Sequence, residues 1–426
     1  MSMQFTTPTS LLALALSAGL LSATASAEVT LYSGMVSGNG TDFEQVDEDT
    51  WSFRIESDTN AGTRMWFQFE VQGAEGRTIN LQLRGASWSH WETAHPVTSP
   101  DGGETWTHVD GPVIHDGEEN TLTFTHTIES DAQLFAHHFP YPLWKAEKKI
   151  EEWAGHPDAE HKIVGHSIQG RPMHYLQITE GETGEPGEKL GIWAIARQHP
   201  MEVTGGFKME AFMDFILSDA PRAQALRRHA VINAVPVMNP DGIYVGNQRH
   251  NVAGINLNRV WDGSANEETS PEVLAVQTLI DTWVEDGYSY DFFIDFHSIS
   301  GARPHFAYHA DSSKEPELYH DPPNYHNHLR EYLALVNEHS PYFHPTQGAT
   351  SGDRETLAYH SQRKQYGVPA LTPEGGYNLQ EYGPTPDWPM TPEVHRSVGR
   401  GFAMALADYF ELEVPEAEFA TDRIAE

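Results

Sequence analysis

The chain has 426 residues, which is enough for two or three domains with well-filled cores. Its 61 aspartates and glutamates outnumber 26 lysines and arginines, and the resulting formal charge of −35 argues against nucleic acid or an anionic membrane as a partner. Because the chain has no cysteine, disulfides and thiolate metal sites are excluded. Any transition-metal site must therefore use carboxylates and the 24 histidines.

The first 27 residues are typical of an export signal. An apolar run, "LLALALSAGLL" (11–21), precedes the small-residue cleavage pattern "ASA" (25–27). The first ten residues contain no lysine or arginine, which departs from the usual signal. No other apolar run reaches the roughly 18 residues of a membrane span. We expect a mature protein that begins near Glu28 and is periplasmic or secreted, with no stable membrane association after cleavage.

Residues 28–138 show the period-two alternation of β-strands. Short alternating segments are separated by turn-rich pieces such as "SGNGTD" and "SPDGGE". The segments are "TWSFRIES", "RMWFQFEVQG", "TINLQLRGAS" and "NTLTFTHTIES". This spacing predicts an N-terminal antiparallel β-sandwich domain. We identify no catalytic residues in it.

The pattern changes at the prolines of "HHFPYP", and strands then alternate with helices over residues 139–412. Apolar runs such as "LGIWAIA", "HAVINAVPVM" and "YDFFIDFH" predict strands that are buried on both faces. Helical periodicity marks "GGFKMEAFMDFIL", "PEVLAVQTLIDTWVED" and "TPEVHRSVGRGFAMALADYF", the last with Thr391 as N-cap. This alternation predicts an α/β domain whose sheet is covered by helices. An acidic C-terminal tail, 413–426, follows.

Two predicted strands end in residues that can bind a metal. His199 and Glu202 follow "LGIWAIA", and His297 ends "YDFFIDFH". Because function gathers at the carboxyl ends of strands in an open α/β sheet, we expect the three side chains to meet. Two histidines and a carboxylate with an open fourth position suit a hydrolytic zinc ion. A lone His-x-x-Glu is a weak signal, and the second histidine strengthens it.

Other polar residues near strand ends have simpler interpretations. Asn239 and Asp241 of "NPDG" are predicted to be turn formers. Asp295 lies two residues before His297, so its side chain points either to that imidazole or into the core. We expect His305 to lie at the surface or to line a pocket.

Five motifs resemble, in order and approximate spacing, those of the M14 family of zinc carboxypeptidases. They are "RQHPME", "NPDGIYVGNQR", "GINLNRVWDG", "FIDFHS" and "LTPEGG". The strand-rich start, "HHFPYP" and "GHSIQGRPMHYLQIT" are most similar to the cytosolic-carboxypeptidase subfamily and its bacterial relatives. The resemblance covers nearly all of the mature chain. It implies a zinc-carboxypeptidase-type mixed sheet and a metallocarboxypeptidase that hydrolyses C-terminal residues of peptides through a zinc-activated water.

The resemblance also implies roles for individual residues. His199, Glu202 and His297 match the ligands of one zinc ion. Glu374 of "LTPEGG" matches the general base, which takes a proton from the attacking water and passes it to the leaving amine. Arg249 of "GNQR" matches the arginine that polarises the scissile carbonyl.

Asn258 and Arg259 of "NLNR" match the pair that holds the terminal carboxylate of the substrate, since an arginine fork can bind a carboxylate through two parallel hydrogen bonds. Structural alternatives exist for three of the assigned residues. Glu374 could stabilise a turn, Arg249 could be a surface arginine, and Asn258 could be a turn residue.

Two features depart from the family pattern or leave it open. Met201 stands where relatives usually carry glycine, between two ligands. Arg354 of "SGDRET" is a candidate selector for acidic (Glu or Asp) terminal side chains, although it lies further from Glu374 than expected, and Tyr359 fits the selector position about as well. Tyr342 and Tyr359 are candidates for the tyrosine that closes over the substrate in this family.

Two other functions remain open at this stage. An amidohydrolase of the aspartoacylase type, which cleaves N-acyl amino acids, has a similar zinc and arginine set. The long strand-rich domain weighs against it. A catalytically inactive, zinc-bearing peptide-binding protein is the other alternative, and the presence of Glu374 weighs against that one.

Overall fold

The computed structural model describes residues 28–310, 325–350 and 354–414. The export signal expected at residues 1–27 and all but the first two residues of the acidic tail lie outside the described residues. Over the described ranges, no helix combines the length and the hydrophobicity needed to traverse a bilayer.

Within the described residues, the N-terminal strands form two five-stranded sheets. One has the order β1 (Thr30–Tyr32), β4 (Gln68–Gln72), β10 (Ala132–Ala136), β6 (Val97–Ser99) and β7 (Thr107–His108). The other has the order β2 (Thr41–Gln45), β3 (Thr50–Arg54), β5 (Thr78–Arg84), β9 (Thr121–Thr127) and β8 (Val113–Asp116). Neighbouring strands in these two sheets run antiparallel, except for β3 and β5, which run parallel. A 3-10 turn, Ser89–Thr93, precedes β6.

The core of the sandwich is aromatic and follows the predicted alternation. In β5 every second side chain is buried, from Ile79 onwards. The rings of Phe53 and Phe67 meet edge to face at 5.2 Å, and those of Phe67 and Phe124 stack at 5.8 Å. Such pairs add to the free energy gained by burying the rings. The domain therefore has its own core, as its period-two pattern predicts.

The α/β domain that follows is built on a mixed eight-stranded sheet in the described residues. Its order is β11 (Ala159–His166), β12 (Pro172–Ile178), β14 (Ala230–Val235), β13 (Leu190–Ala196), β15 (Phe292–Phe296), β18 (Ala370–Glu374), β16 (Phe306–Ala310) and β17 (Ala349–Thr350). Strands β14, β13, β15 and β18 run parallel. Every residue of β14 and β15 is buried, because helices cover both faces of the sheet.

The helices begin and end close to the predicted segments where those segments are long. They are α1 (Leu143–Ala154), α2 (Val203–Ile216), α3 (Pro221–His229), α4 (Pro240–Val245), α5 (Pro271–Glu285), α6 (Tyr325–His339), α7 (Ala358–Tyr366) and α8 (Pro392–Tyr409). Thr391 is the N-cap residue of α8, although its side chain makes no capping hydrogen bond. The nine-residue helices α3 and α7 were not predicted, because two turns give too little periodicity. The 15-residue helix α6 was not predicted either.

The two domains share a hydrophobic cluster at their junction. Trp66 and Val97 of the sandwich pack in one buried cluster with Tyr141, Met201 and Phe207 of the α/β domain. Met201, at 2% exposed, thus belongs to the interdomain core. This contact gives a physical reason for the departure from glycine at this position.

Candidate active site

Three side chains predicted to bind a metal converge at the carboxyl edge of the sheet. His199 and Glu202 lie in the loop after β13, and His297 follows β15, which pairs in parallel with β13. One ligand atom from each residue lies within 4.8 Å of the others, and all three side chains are buried. The adjacent strands therefore bring together His199 and His297, which are 98 positions apart in sequence and whose Nδ1 atoms lie 3.2 Å apart.

Both imidazoles point their Nδ1 atoms toward the carboxylate of Glu202. Nδ1 of His199 lies 2.5 Å from Oε1 of Glu202, and Nδ1 of His297 lies 2.7 Å from Oε2. On the outer side, Nε2 of His199 lies 2.9 Å from Oδ1 of Asn256, and Nε2 of His297 lies 2.8 Å from Oδ2 of Asp295. An acceptor at Nε2 keeps the proton there and leaves the Nδ1 lone pair for a metal. The donor set and its orientation fit zinc.

Burial and the neighbouring carboxylates oppose each other at these imidazoles, and burial prevails at His199, whose pKa it lowers to about 4. Burial opposes the charged form of His297, but Asp295 and Glu202 nevertheless raise its pKa well above the usual value. Burial also opposes the ionised form of Glu202, yet His199 and His297 hold its pKa well below the usual range. The centre thus favours positive charge, which is the condition for binding a divalent cation.

Asp295 and Asn256 are the residues that orient the two histidines. Asp295 is fully buried, and its Oδ2 also accepts a hydrogen bond of 2.6 Å from Nε2 of Gln198. The sequence left open whether the Asp295 side chain points to the His297 imidazole or into the core, and the structure shows that it points to the imidazole. Asn256 was missed, although it lies in the same "GINLNR" motif as Asn258.

The residues predicted to form a plain turn at "NPDG" make specific contacts. Asn239 is the N-cap of α4, where its Oδ1 accepts a 3.0 Å hydrogen bond from the Gly242 amide and its Nδ2 donates to the Gln198 carbonyl. Asp241 is fully buried and pairs with Arg171 at 2.6 Å. Both remain structural residues, with a helix start in place of a plain turn.

The loop that carries the first two ligands is held by a buried arginine and two glycines. Arg197 adopts φ 62°, and its guanidinium donates to the carbonyls of Pro200 and Tyr141. Helix α2 then begins against the end of β15, where a Cβ on Gly205 would lie 2.5 Å from the Phe296 carbonyl oxygen. Only glycine allows this approach, so the sequence "TGG" after Glu202 fixes the helix beside the metal ligands.

Glu374 ends β18, the strand next to β15, and lines the same cavity as the three ligands. Its Oε2 is shielded from solvent and has no hydrogen-bond partner among the described residues. Burial and the charge of Glu202 raise the pKa of Glu374 to about 8. A carboxylate that binds protons this readily beside a cation site can accept and return a proton near neutral pH.

Lys208 is a fully buried lysine near this site that the sequence did not suggest. Its Nζ donates to the carbonyl of His297 at 2.8 Å and to that of Pro373 at 3.2 Å, so it joins the ends of β15 and β18. Burial lowers its pKa to about 7, while Glu374 and Glu202 act in the opposite direction. A lysine within a helix normally indicates an exposed face, so no local pattern marks it as buried.

The expectation for His305 is wrong. Its side chain is fully buried, with Nδ1 at 3.3 Å from the Glu374 carbonyl oxygen and Nε2 at 3.1 Å from Nδ1 of His395. Burial lowers the pKa of both histidines well below the usual value. Because β16 pairs with β18, His305 packs behind β18, the strand that ends in Glu374.

The residues expected to bind substrate line one cavity of about 490 Å³ together with the ligands and Glu374. Nη1 of Arg249 lies 3.8 Å from Oε1 of Glu202. Oδ1 of Asn258 accepts a 2.9 Å hydrogen bond from the Ala358 amide, which fixes that side chain. Arg259 is an exposed residue, and its Nη1 donates to the carbonyl of Asn258 at 2.5 Å.

Arg354 and Tyr359 line the cavity too, whereas Tyr342 is not among the described residues that line it. Arg249 and Arg259 line the same cavity as Arg354, and burial together with the like charges of the other two arginines lowers the pKa of Arg259. The sandwich contributes Thr63, Met65 and the half-exposed Trp88 to the lining. A larger cavity, about 720 Å³, lies between the sandwich and the 245–247 segment and contains none of the three metal-ligand residues.

Comparisons with known proteins cover both domains. A family model described as zinc carboxypeptidase (M14 peptidase) matches residues 148–383, and one described as the cytosolic carboxypeptidase N-terminal domain matches residues 31–138. The chain is 26% identical over 403 residues to cytosolic carboxypeptidase 6 of Mus musculus, covering 88% of this chain and 72% of that protein.

Two solved bacterial structures are similar over almost the whole chain. A metallo-carboxypeptidase from Burkholderia cenocepacia has TM-score 0.80 and 27% identity, covering 90% of this chain and 99% of that one. A metallo-carboxypeptidase from Pseudomonas aeruginosa, in complex with (2-guanidinoethylmercapto)succinic acid, has TM-score 0.79 and 26% identity over the same shares. The first family model spans more than half of the chain and contains all the predicted site residues. The chain belongs to the M14 family of zinc carboxypeptidases, with a cytosolic-carboxypeptidase N-terminal domain before the catalytic domain.

Proposed function

We propose that this protein removes C-terminal residues from peptides with a single zinc ion held by His199, Glu202 and His297. One observation carries the proposal: three oriented ligand atoms lie within 4.8 Å of one another in a cavity that also contains Glu374 and Arg249. The family implies zinc, and the two imidazoles and one carboxylate suit that metal. One ion is proposed because the described residues contain one such cluster.

Zinc, when bound, would supply a Lewis acid and lower the pKa of a coordinated water to around 7. The protein's own groups then carry the proton and the charge. Glu374 takes a proton from the attacking water and transfers it to the amine as the peptide bond breaks. The Arg249 guanidinium donates to the carbonyl oxygen as negative charge develops there. The products are a shortened peptide and a free amino acid.

The clamp for the substrate's chain end is Arg259 with Asn258. Arg259 presents a planar fork that can bind a carboxylate through two parallel hydrogen bonds. Asn258 is fixed by the Ala358 amide, so its side chain needs little ordering when a substrate binds. Since an internal peptide bond carries no free carboxylate nearby, this clamp restricts cleavage to the last residue. The related Pseudomonas aeruginosa protein was solved with a succinic acid derivative, a compound with two carboxylates.

We further propose a preference for glutamate or aspartate at the cleaved terminus. Arg249, Arg259 and Arg354 line the cavity of a chain whose formal charge is −35. If Arg249 serves the carbonyl and Arg259 the terminal carboxylate, Arg354 is left for an acidic side chain. Tyr359, which is buried and also lines the cavity, is the alternative and would favour a neutral side chain.

Matched peptides that differ only in the last residue test both proposals. We expect kcat/KM to rank Glu and Asp above Ala, and Ala above Lys and Phe. Arg354→Gln should reduce turnover of the Glu peptide about 10- to 100-fold, the loss expected for one charged contact, and leave the Phe peptide unchanged. A preference for Lys or Phe in the wild-type protein would remove the acidic selector while leaving the carboxypeptidase in place. N-acetylglutamate serves as a control for the aspartoacylase-type alternative, which the family match does not favour.

Export of the protein is a separate proposal. It is supported by the apolar run at 11–21 and the "ASA" pattern that ends at residue 27. Cell fractionation of the full-length chain, followed by mass measurement of its N-terminus, should give a periplasmic or secreted protein that begins near Glu28. A cytoplasmic protein with an intact N-terminus would contradict it.

A further inference from the structure

The sandwich domain forms hydrogen bonds with the loop that carries Arg249. We call residues 57–63 the sandwich turn and residues 246–252 the arginine loop. The two segments lie far apart in sequence but are joined by several hydrogen bonds, including one of 2.9 Å from Nδ2 of Asn60 to the Val252 carbonyl. The arginine loop is therefore held from outside its own domain.

Asp58 of the sandwich turn makes the most concentrated of these contacts. Its Oδ1 accepts a hydrogen bond of 2.7 Å from the Gln248 amide, and its Oδ2 accepts bonds of 2.8 and 3.0 Å from the amides of Arg249 and His250. Nδ1 of His250 lies 3.0 Å from the same Oδ2. Asp58 is 3% exposed, so one buried carboxylate binds three successive backbone amides. Hydrogen bonds to an ionised acceptor are stronger than neutral ones.

The sandwich turn that presents Asp58 is itself ordered. The Asp58 amide donates to the Thr63 carbonyl at 2.8 Å, and the Ala61 amide donates to the Asp58 carbonyl at 2.9 Å. The turn is closed before it meets the catalytic domain. Asp58 thus acts as a fixed point for the arginine loop.

On its other side the arginine loop touches the metal-ligand loop. The Met201 amide donates to the Gln248 carbonyl at 3.2 Å, and Nη1 of Arg249 lies 3.8 Å from Oε1 of Glu202. The Arg249 side chain is about a third exposed, at 34%, so its surroundings hold it loosely. The position of its guanidinium therefore depends on where its backbone is anchored.

We propose that Asp58 is a positioning residue for Arg249, by which the sandwich domain takes part in catalysis. The inference rests on the proposed function, since it requires Arg249 to act on the scissile carbonyl. Asp58 touches neither metal nor substrate. It fixes the amide of Arg249 so that the guanidinium meets the carbonyl oxygen as charge develops, and a small displacement of such a donor is costly in rate.

Asp58→Asn tests the inference, with Asn60→Gly as the matched control. The asparagine keeps the shape of Asp58 but turns an NH₂ group toward backbone donors. The control removes a hydrogen bond between the same two segments, and glycine accepts the left-handed conformation of Asn60, φ 56°. We expect Asp58→Asn to lower kcat about 10- to 100-fold, below the loss for a whole oxyanion donor. KM and zinc content should stay near wild type, and Asn60→Gly should stay near wild type in all three.

A double-mutant cycle with Arg249→Ala separates positioning from general stabilisation. If Asp58 acts through Arg249, Asp58→Asn causes no further loss of kcat in the Arg249→Ala background. Losses that multiply in the double variant, or an Asp58→Asn enzyme with wild-type kcat, would overturn the inference. Absence of peptidase activity in the wild-type protein would instead count against the proposed function, and this inference with it.

Amide hydrogen exchange of the wild-type protein gives a decision even if Asp58→Asn does not fold. The amides of Arg249 and His250 should exchange slowly and become slower still when a phosphonic acid transition-state analogue of the peptide binds. Fast exchange at these two amides, with slow exchange in the flanking helices, would contradict the anchoring role of Asp58.

Discussion

The two halves of the active site are assembled in different ways. The candidate metal centre and Glu374 come from the ends of β13, β15 and β18, which are neighbours that run parallel within the mixed sheet. The arginine loop has no such neighbour, and Asp58 holds it from another domain, 191 positions from Arg249 in sequence. One half is positioned by the regular spacing of strands, and the other by an interface between domains. Changes to the first half should abolish chemistry or metal binding, whereas changes to the second should only reduce the rate.

The largest effect should come from Glu374→Gln, in the half built by the sheet. The amide cannot take a proton from water, so we expect kcat to fall by about 10²- to 10⁴-fold with zinc content unchanged. Peptide turnover and metal analysis measure the two quantities. Glu381→Gln, at an exposed position seven residues on, is the control and should be neutral. Wild-type turnover by Glu374→Gln would mean that another group is the base.

An intermediate effect is expected for Asp295→Asn, which removes the carboxylate behind His297. The 2.8 Å contact keeps the Nε2 proton in place, and an amide can face the ring with its own donor instead. Loss of such a contact typically costs about 10- to 100-fold in metal affinity or activity. Competition with a chelator measures the zinc affinity, and Asp286→Asn at the exposed end of α5 provides a comparison. Equal zinc affinity and activity in wild type and Asp295→Asn would contradict the orienting role.

The smallest effect concerns stability at the domain junction, where buried histidines cluster. Burial lowers the pKa of His138 to about 3. Between that value and the ordinary pKa of about 6.5, the unfolded chain binds a proton at this position that the folded protein does not. The free energy of unfolding therefore falls as pH decreases below about 6.5, by about 1.4 kcal/mol per pH unit for this histidine.

Denaturant unfolding between pH 5 and pH 8 measures this dependence. His138→Gln cannot take up the proton, so its curve should be flatter than that of the wild type by roughly one proton. His166→Gln, at an exposed position, should keep the wild-type slope. Parallel curves for wild type and His138→Gln would show that this histidine does not contribute.

Local sequence patterns were enough to predict the buried strands, the candidate metal-binding residues after them and several of the long helices. The buried strands that precede His199 and His297 were recognisable because their apolar runs stop just before residue types that can bind a metal, and parallel pairing then brings those residues together. The M14 relationship and the α/β fold with a preceding strand-rich domain are confirmed. Long helices such as α5 and α8 were found at their proline starts.

Features that depend on tertiary packing were missed or wrong. Lys208 and His305 are polar residues in segments that give no sign of burial, and parts of the chain distant in sequence enclose them, such as Pro373 and His395. Asp58 lies in the turn-rich piece "SDTNAG", which is typical of a surface loop, and becomes buried only against the arginine loop. The role of Met201 likewise depends on side chains from the other domain.

Lys208 has a consequence for how the cleft can respond to a bound peptide. Its Nζ is buried with the carbonyls of His297 and Pro373. Separating β15 from β18 would therefore leave these polar groups buried without hydrogen-bond partners. The floor of the cleft therefore resists separation of β15 and β18, whereas Trp88 and Arg354 line the same cavity from segments that this contact does not join.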